Sequence, residues 1–387
     1  MLGFILYAAI ALPDKAMTDS DTVRFGSIFS ADFDYSDYVP AAAGTSTTDI
    51  SKSKIKLFDT IPVKNINITK TERRYVFPGG ELVGIRLNTD GVIVAGTEEF
   101  YSHGKKTDPA AKAGIKIGDI IVSVNGIKIT SNDEFAEKII SSEGKAVSIS
   151  LMRDNKLTDV ELVPELSDIT DMYKCGLWIR DCTSGIGTLT YTDPQTKTVA
   201  TLGHGIYDSD TKKILPAFNG EIMSATLSGI TKGKSGEAGE IHGMIGCEKY
   251  GNLCLNCNAG IYGMTTVNHE NDTLIPVAFA SEVKTGKAEI ISTLDNTTKK
   301  KYEIEIERIN YNENDTGKNM IIKVTDKELI GLTGGIVQGM SGSPVIQDGK
   351  LIGAVTHVFL NEPLMGYAIF AENMVNVSDN LSLQSAA

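Results

Sequence analysis

The stretch Gly339-Met340-Ser341-Gly342-Ser343-Pro344, running on into Val345-Ile346-Gln347-Asp348-Gly349-Lys350-Leu351-Ile352-Gly353-Ala354-Val355, decides how the rest of the chain reads. A serine sits between glycines in a tight turn, and a hairpin of two apolar strands follows. Gly339 lets the backbone bend so that its own N–H and that of Ser341 converge on one point. Two such donors can hold an oxygen that becomes negative when a carbonyl is attacked. Gly342 is expected to keep the approach to Ser341 free of a side chain. The pattern points to Ser341 as a nucleophile, with Gly339 and Ser341 as its oxyanion hole; the plainer alternative is a simple glycine–serine turn.

A serine hydroxyl needs a base, and the chain offers five histidines. His204 closes the apolar strand in Thr201-Leu202-Gly203-His204-Gly205-Ile206, well before Ser341 in chain order. That is where a two-barrel peptidase of the chymotrypsin-like kind places its base, across the cleft from the nucleophile. His357, on the second hairpin strand, is a candidate lining residue of the substrate pocket. His103, His242 and His269 fall in polar connections and read as solvated. An acid should fix the tautomer of His204. Asp208, Asp210, Glu237, Glu240, Glu248, Asp272, Asp295, Asp315 and Asp326 are all available. Barrel order would favour Glu237 to Glu248, but spacing alone selects none.

From about Tyr173 to the end the chain is mostly short strands with glycine turns. About eleven candidate strands suggest a pair of barrels or a sandwich, and the lack of strand–helix alternation argues against a doubly wound α/β fold. Upstream, the order of elements differs. Gly79-Gly80 feeds a strand through Leu87, and Gly91–Gly96 reads as a second strand. Asp108-Pro109-Ala110-Ala111-Lys112-Ala113-Gly114 reads as a short Pro-started helix stopped by glycine. A strand, an Asn125-Gly126 hairpin turn, an amphipathic helix over Asn132–Ser141 with Phe135, Ile139 and Ile140 on one face, and two further strands complete the unit. This segment resembles a PDZ domain of the kind attached to bacterial serine proteases. The resemblance implies peptide capture: the turn Glu81–Gly84 would aim N–H groups at a carboxylate, and the edge strand would accept an added peptide strand at Leu82, Val83, Gly84 and Ile85. The alternative is a domain that packs on its neighbour and binds nothing free.

The chain has 387 residues and a mass of 41.6 kDa, more than one comfortable core, so two domains or more are expected. Net charge is −12, from 37 basic and 49 acidic residues, and no basic stripe is present. That argues against a nucleic-acid-binding surface, which needs a positive field to release counterions. The 38 glycines against 11 prolines suit β-rich domains with many tight turns. At the amino terminus an uncharged apolar run, Leu2–Leu12, is too short to span a bilayer and lacks the basic start of a signal peptide. It reads as the remnant of a signal or anchor over residues 1–12, the alternative being a short buried strand. Residues 13–70 show no lasting period and read as a flexible extension and linker, followed by the PDZ domain over 71–166 and the peptidase over 167–387. Cys175 and Cys182 could pair in an oxidising space. Cys247, Cys254 and Cys257, with His242, form a weak metal motif.

The His204 segment, the preceding PDZ unit, and Gly334-Gly335-Ile336-Val337-Gln338-Gly339-Met340-Ser341-Gly342-Ser343-Pro344 through Thr356-His357-Val358-Phe359 together resemble the stage IV sporulation protein B peptidase family. The fold implied is mainly β: a PDZ domain followed by a chymotrypsin-like two-β-barrel serine peptidase domain. The resemblance implies a trypsin-like serine peptidase of spore-forming bacteria, exported into the space between forespore and mother cell, with or without a membrane anchor. Its implied substrates are a membrane-bound regulator of an intramembrane metalloprotease, whose release activates a late sigma factor, and the peptidase itself near its N-terminus. No cofactor is implied. Residue by residue, the nucleophile falls on Ser341, the base on His204 and the suspected acid on Asp326 in Val324-Thr325-Asp326-Lys327. A second reading, from another class, is a catalytically inactive PDZ peptide-binding adaptor. A metal-dependent hydrolase built on the three cysteines and His242 is a distant third.

Overall fold

Period-two alternation of apolar and polar side chains begins well before Tyr75. The structure, a computed structural model, describes residues 12–19, 22–25, 29–32, 49–154, 156–209, 211–267, 272–311 and 317–385. Most of the N-terminal apolar run, together with Asp210, His269 and Asp315, lies outside the described residues. Strands β1 (Lys15–Thr18), β2 (Thr22–Phe25), β3 (Phe29–Asp32), β4 (Asp49–Leu57) and β5 (Ile61–Lys70) form one sheet in the order β1-β5-β4-β3-β2. Its own small core buries Phe25, Phe29, Ile55, Leu57, Ile66 and Ile68. The flexible extension expected over 13–70 is therefore a folded sheet in its described parts. Lysines and asparagines take outward positions, but Ser30 and Ser53 fall on the buried face, where a polar residue breaks the alternation as read in the sequence.

Next come β6 (Tyr75–Pro78), β7 (Leu82–Thr97), β8 (Phe100–Ser102), β9 (Lys105–Thr107), β10 (Ile120–Val124), β11 (Ile127–Lys128), β12 (Val147–Arg153) and β13 (Lys156–Leu162). Helix α1 (Pro109–Lys112) starts at its Asp108 cap, and Gly114 turns the chain at φ +75° just beyond it. Helix α2 (Asn132–Ser141) starts at Ser131, whose hydroxyl accepts from the Glu134 amide. Val92, Val94, Phe135, Ile139, Ile149 and Leu151 pack in one PDZ core, while Ile140 is left largely exposed.

The short pair β14 (Glu165–Leu166) and β15 (Tyr173–Lys174) leads into β16 (Leu177–Asp193), β17 (Thr198–Thr201), β18 (Ala217–Thr231), β19 (Glu240–Cys257) and β20 (Gly260–Thr265). Ladders join β7 to β18, β18 to β19, β19 to β20, β20 to β17, β17 to β16 and β16 back to β7, closing the first barrel. After β21 (Ile275–Pro276), a second closed barrel is made by β22 (Gly286–Ser292), β23 (Lys300–Ile309), β24 (Met320–Val324), β25 (Pro344–Gln347), β26 (Lys350–Phe359) and β27 (Glu362–Phe370). In β23 the alternation is plain: Tyr302, Ile304 and Ile306 are buried and the intervening glutamates face solvent. Two helices complete the second half, α3 (Lys327–Thr333) before the nucleophile turn and α4 (Ala371–Ser385), whose Met374 and Val375 pack under both barrels with Tyr191 and Leu351. The fold is mainly β and chymotrypsin-like, with two barrels facing each other.

The closure of the first barrel overturns one expectation. Leu82, Val83, Gly84 and Ile85 were to be the open edge of a peptide-binding sheet, but all four are buried. They pair with Thr188, Gly187, Ile186 and Gly185 of β16 on one side, and Val83 to Ile85 pair with Ser224, Met223 and Ile222 of β18 on the other. No edge remains there for a ligand. The PDZ unit is not a bead ahead of the peptidase: its body, from about Val92, interrupts the first barrel between that barrel's first and second strands.

Candidate active site

The nucleophile turn is held by main-chain and threonine contacts with β16. Thr188 donates from its hydroxyl to the Gly339 carbonyl (2.8 Å) and from its amide to the Ser341 carbonyl (2.9 Å). The Thr190 hydroxyl donates to the Gly342 carbonyl (2.8 Å), and the Gly342 amide donates to Val355 (2.8 Å). Met340 is fully buried between them. With the carbonyls turned inward, the amides of Gly339 and Ser341 are left without a partner among the described residues, as an oxyanion hole requires. Gly339 holds φ at +95°. Gly342 has a different reason to be glycine from the one expected. At φ +93°, a Cβ there would stand 2.1 Å from the Thr188 carbonyl oxygen, so its smallness serves packing against β16 and not access to the hydroxyl.

His204, the candidate base, comes off the end of β17. Leu202 and Gly203 both take left-handed backbone (φ +66° and +67°), which throws His204 out of the ladder into the space between the barrels. A leucine in that conformation is a strained residue, of the kind found where a side chain must be aimed. His204 and Ser341 line one cleft of about 480 Å³ with His357, Gly339, Thr356 and Val358. The His204 and His357 rings lie 4.8 Å apart between centroids, tilted by 35°. In this resting arrangement the Ser341 hydroxyl donates to the Thr356 carbonyl (2.8 Å).

Asp326, expected as the acid, does not line the cleft. Asp326 is the N-cap of α3: its carboxylate accepts from the Leu329 amide (2.9 Å) and the Glu303 amide (3.3 Å), outside the cleft. Among the described residues, no aspartate or glutamate lines the cleft. Asp208 instead caps its own turn at the Thr211 amide, and Asp295 holds Thr297 and Thr298. Glu237, Glu240 and Glu248 are exposed. What holds the imidazole is a backbone group. Nδ1 of His204 lies 2.8 Å from the Gly205 carbonyl, which can only accept, so Nδ1 carries the proton and Nε2 the lone pair. Burial pushes the His204 imidazolium toward lower pKa, partly offset by that carbonyl, and so favours the neutral ring, the form that can accept a proton. His357 is also held low, by burial and by the nearby His204 and Lys318; its outer face stays open to solvent.

Asn256 is a positioning residue that the sequence did not reveal. Its side chain accepts from the Ile206 amide (2.9 Å) and donates to the Ile206 and Leu215 carbonyls (2.8 and 2.9 Å), clamping the loop that supplies the Gly205 carbonyl. It lies inside the Cys254–Cys257 spacing that suggested a metal. That motif does not assemble: the cysteines are free thiols, His242 bonds Thr231, and among the described residues no three His, Cys, Asp or Glu side chains gather to hold an ion. Cys175 is buried and Cys182 exposed, both unpaired. His103 turns at the Asp168 cap, away from the cleft.

Residues 171–375 match the family model described as SpoIVB peptidase S55, and residues 82–163 match a PDZ domain model. The chain belongs to the SpoIVB peptidase S55 family. Membership in this family of serine peptidases agrees with a serine, a histidine and two unpartnered amides in one cleft. Shorter likenesses run in two directions. A protein of Haemophilus influenzae named as a periplasmic serine protease do/HhoA-like is 38% identical over 74 residues, 19% of this chain and 16% of that protein. A protein of Clostridium acetobutylicum named as a zinc metalloprotease is 30% identical over 94 residues, 24% of each. The matches cover under a quarter of these relatives' own length and extend to two catalytic classes, so they do not fix the chemistry. The solved structure of the Rv3671c protease in its inactive form covers 49% of this chain and 81% of its own at 15% identity and a TM-score of 0.27, too loose a likeness to argue from.

Proposed function

We propose that this S55 family member is a signalling serine endopeptidase of spore formation. Its substrates would be a membrane-associated regulatory protein and its own N-terminal region, and the cut would start intramembrane proteolysis and late sigma-factor activation. The reading of the chemistry rests on one observation: Ser341 and His204 share a cleft beside the unpartnered amides of Gly339 and Ser341. The Ser341 hydroxyl leaves Thr356 by rotation about its side chain and gives its proton to Nε2 of His204 as Oγ attacks the peptide carbonyl. The two amides hold the resulting oxyanion, and the imidazolium returns the proton to the leaving amine. Water, deprotonated by the same nitrogen, then frees the acyl group. Export to the space between the two membranes of the developing spore is part of the proposal and is supported by family membership. Among the described residues, no helix is long and apolar enough to cross a membrane.

The second reading, an inactive PDZ adaptor, is favoured by one contact: Ser341 donates to Thr356 rather than to His204. A fluorophosphonate probe separates the two. Labelling mapped to Ser341, absent in Ser341→Ala, supports the peptidase, and Ser341→Ala should keep only about 10³–10⁴ over the uncatalysed rate. An unlabelled wild-type serine in folded protein would sink the peptidase reading.

A further inference from the structure

Strands β18 and β19 run on past the wall of the first barrel. β18 pairs with β7 only as far as Ser224, and β19 pairs with β20 only from Gly251. Among the described residues, the outer parts, Ala225–Thr231 and Glu240–Ile245, have no ladder partner but each other. A two-stranded ribbon is marginal on its own, and this one is held at its far end by the second barrel. The Gly233 amide donates to the Thr333 carbonyl at the end of α3 (2.8 Å), and the Lys232 ammonium donates to the Gly331 carbonyl. On the turn between β26 and β27, the Leu360 carbonyl accepts from the Gly236 amide (2.8 Å) and the Asn361 carbonyl from the Ser235 hydroxyl (2.9 Å). The approach is close enough to need glycine: a Cβ on Gly239 would stand 2.3 Å from the Gly233 nitrogen and 2.6 Å from Cγ1 of Val337.

The ribbon also grips the residue just before the oxyanion turn. The Gln338 amide donates to the Gly239 carbonyl (2.9 Å), and the Gln338 carbonyl accepts from the Ile241 amide (2.8 Å), with Glu240 as the bridge partner between them. The Gln338 carbonyl and the Gly339 N–H belong to one planar trans peptide, so they point to opposite sides of it. Holding the carbonyl on Ile241 therefore turns the Gly339 N–H the other way, into the cleft, where it is one of the two unpartnered amides. A half-turn of this peptide would put a carbonyl oxygen where the donor now stands, and glycine at 339 has the backbone freedom to allow it. Gly339 is backed by the same residue, since a Cβ there would lie 2.8 Å from Cβ of Ile241. We infer that the β18–β19 ribbon positions the oxyanion hole through the Ile241 amide, and that the peptidase is competent only while the ribbon's end is seated on the second barrel. The inference rests on the peptidase reading and adds what sets its oxyanion hole. Lys232 and residues 234–237 of the seated end are exposed, so the seat opens from outside without disturbing either barrel's closure.

The test uses the full chain, a fluorophosphonate probe and protein labelled with ¹⁵N at glycine. Gly239→Ala wedges the ribbon away from Gly233 and Val337. The maximal rate of labelling at Ser341 should fall about a hundredfold, the loss expected when one oxyanion donor is withdrawn. The probe concentration giving half that rate should not change, because the bond is made only as charge develops. Lys232→Ala combined with Ser235→Ala removes the two side-chain tethers at exposed positions and should lower the maximal rate in the same sense. Lys234→Ala, which leaves every tether in place, should not. When the phosphonyl adduct forms, the Gly339 amide resonance should move downfield in the wild type and stay in place in Gly239→Ala. A full maximal rate in either loosened variant, a loss confined to the half-saturating concentration, or a Gly339 resonance that still moves downfield in a slowed variant would each overturn the ribbon's role. If Gly239→Ala fails to fold, the double variant and its Gly339 resonance decide the matter. Absence of labelling at wild-type Ser341 would instead overturn the peptidase reading, and leave no oxyanion hole to position.

Discussion

Asp326 is the sharpest place to test the site, because its two possible roles differ by orders of magnitude. As the structure has it, the carboxylate caps α3 through the Leu329 amide, and the imidazole of His204 is oriented by the Gly205 carbonyl. Asparagine is as good an N-cap as aspartate, so Asp326→Asn should leave stability within a few tenths of a kcal/mol. Alanine removes the cap and should cost about 1 kcal/mol, a fall of about 2–4 °C in Tm for a domain of this size. Neither change reaches the cleft, so the second-order rate of fluorophosphonate labelling at Ser341 should hold within about twofold for both variants. Had Asp326 been the acid behind the histidine, the order would be reversed. Asparagine would then leave the fold intact while favouring the wrong tautomer, at a loss of about 10⁴ in rate. Labelling rates and melting curves on the same three preparations decide it. A thousandfold loss in Asp326→Asn with an unchanged Tm would refute the backbone-carbonyl arrangement.

Two further outcomes follow from the same geometry. Because burial lowers the pKa of His204, the base is neutral down to pH values below the ordinary 6.5; labelling of Ser341 should therefore fall with acid along a limb centred below 6.5, and a limb centred above 7 would contradict it. The sign for stability is the same, since the unfolded chain takes up protons on His204 and His357 before the folded one does, so the fold should weaken as pH drops through 6.5. Thr188→Val keeps the shape of the side chain but orphans the buried Gly339 carbonyl, a loss of about 1–3 kcal/mol. If that hydroxyl sets the oxyanion turn, labelling should drop about tenfold or more, and a full rate in a merely less stable protein would show that it does not.

The local features were readable because they are written in a few adjacent residues. The Ser341 turn, the glycine stop at Gly114 and the limits of α2 at Asn132 and Ser141 each follow from glycine freedom, capping hydroxyls or period. What misled were residues whose role is set by distant partners. Asp326 precedes a helix by one position, the ordinary place for a cap, and only likeness of sequence pointed to catalysis. Leu82-Val83-Gly84-Ile85 is a continuous apolar run, and such a run marks a strand buried on both faces rather than an edge. That signal was present in the residues but was outweighed by the PDZ-like order around it. Nothing local marks Asn256 or the Gly205 carbonyl, which acquire meaning only when β19 is laid beside the His204 loop.

The interrupted barrel changes what the PDZ body can do. A domain on a flexible linker meets its neighbour at an effective concentration set by linker length. Here β7 and β16 run from the PDZ core into the barrel wall, so the apolar groove between β16 and α2 lies on the strand whose Thr188 holds the nucleophile turn. Thr188, which fixes the nucleophile turn, and Trp178, at the rim of the groove, are ten residues apart on that single strand. Any change in twist or register of β16 that the strand itself does not take up on occupation of the groove reaches the Thr188 contacts and, through them, the Gly339 and Ser341 amides. Bulges between Trp178 and Ile179 and between Arg180 and Cys182 lie on this path and are the places where the strand can yield. An arrangement with the two units merely adjacent would have no such constraint, and binding in one could leave the other untouched.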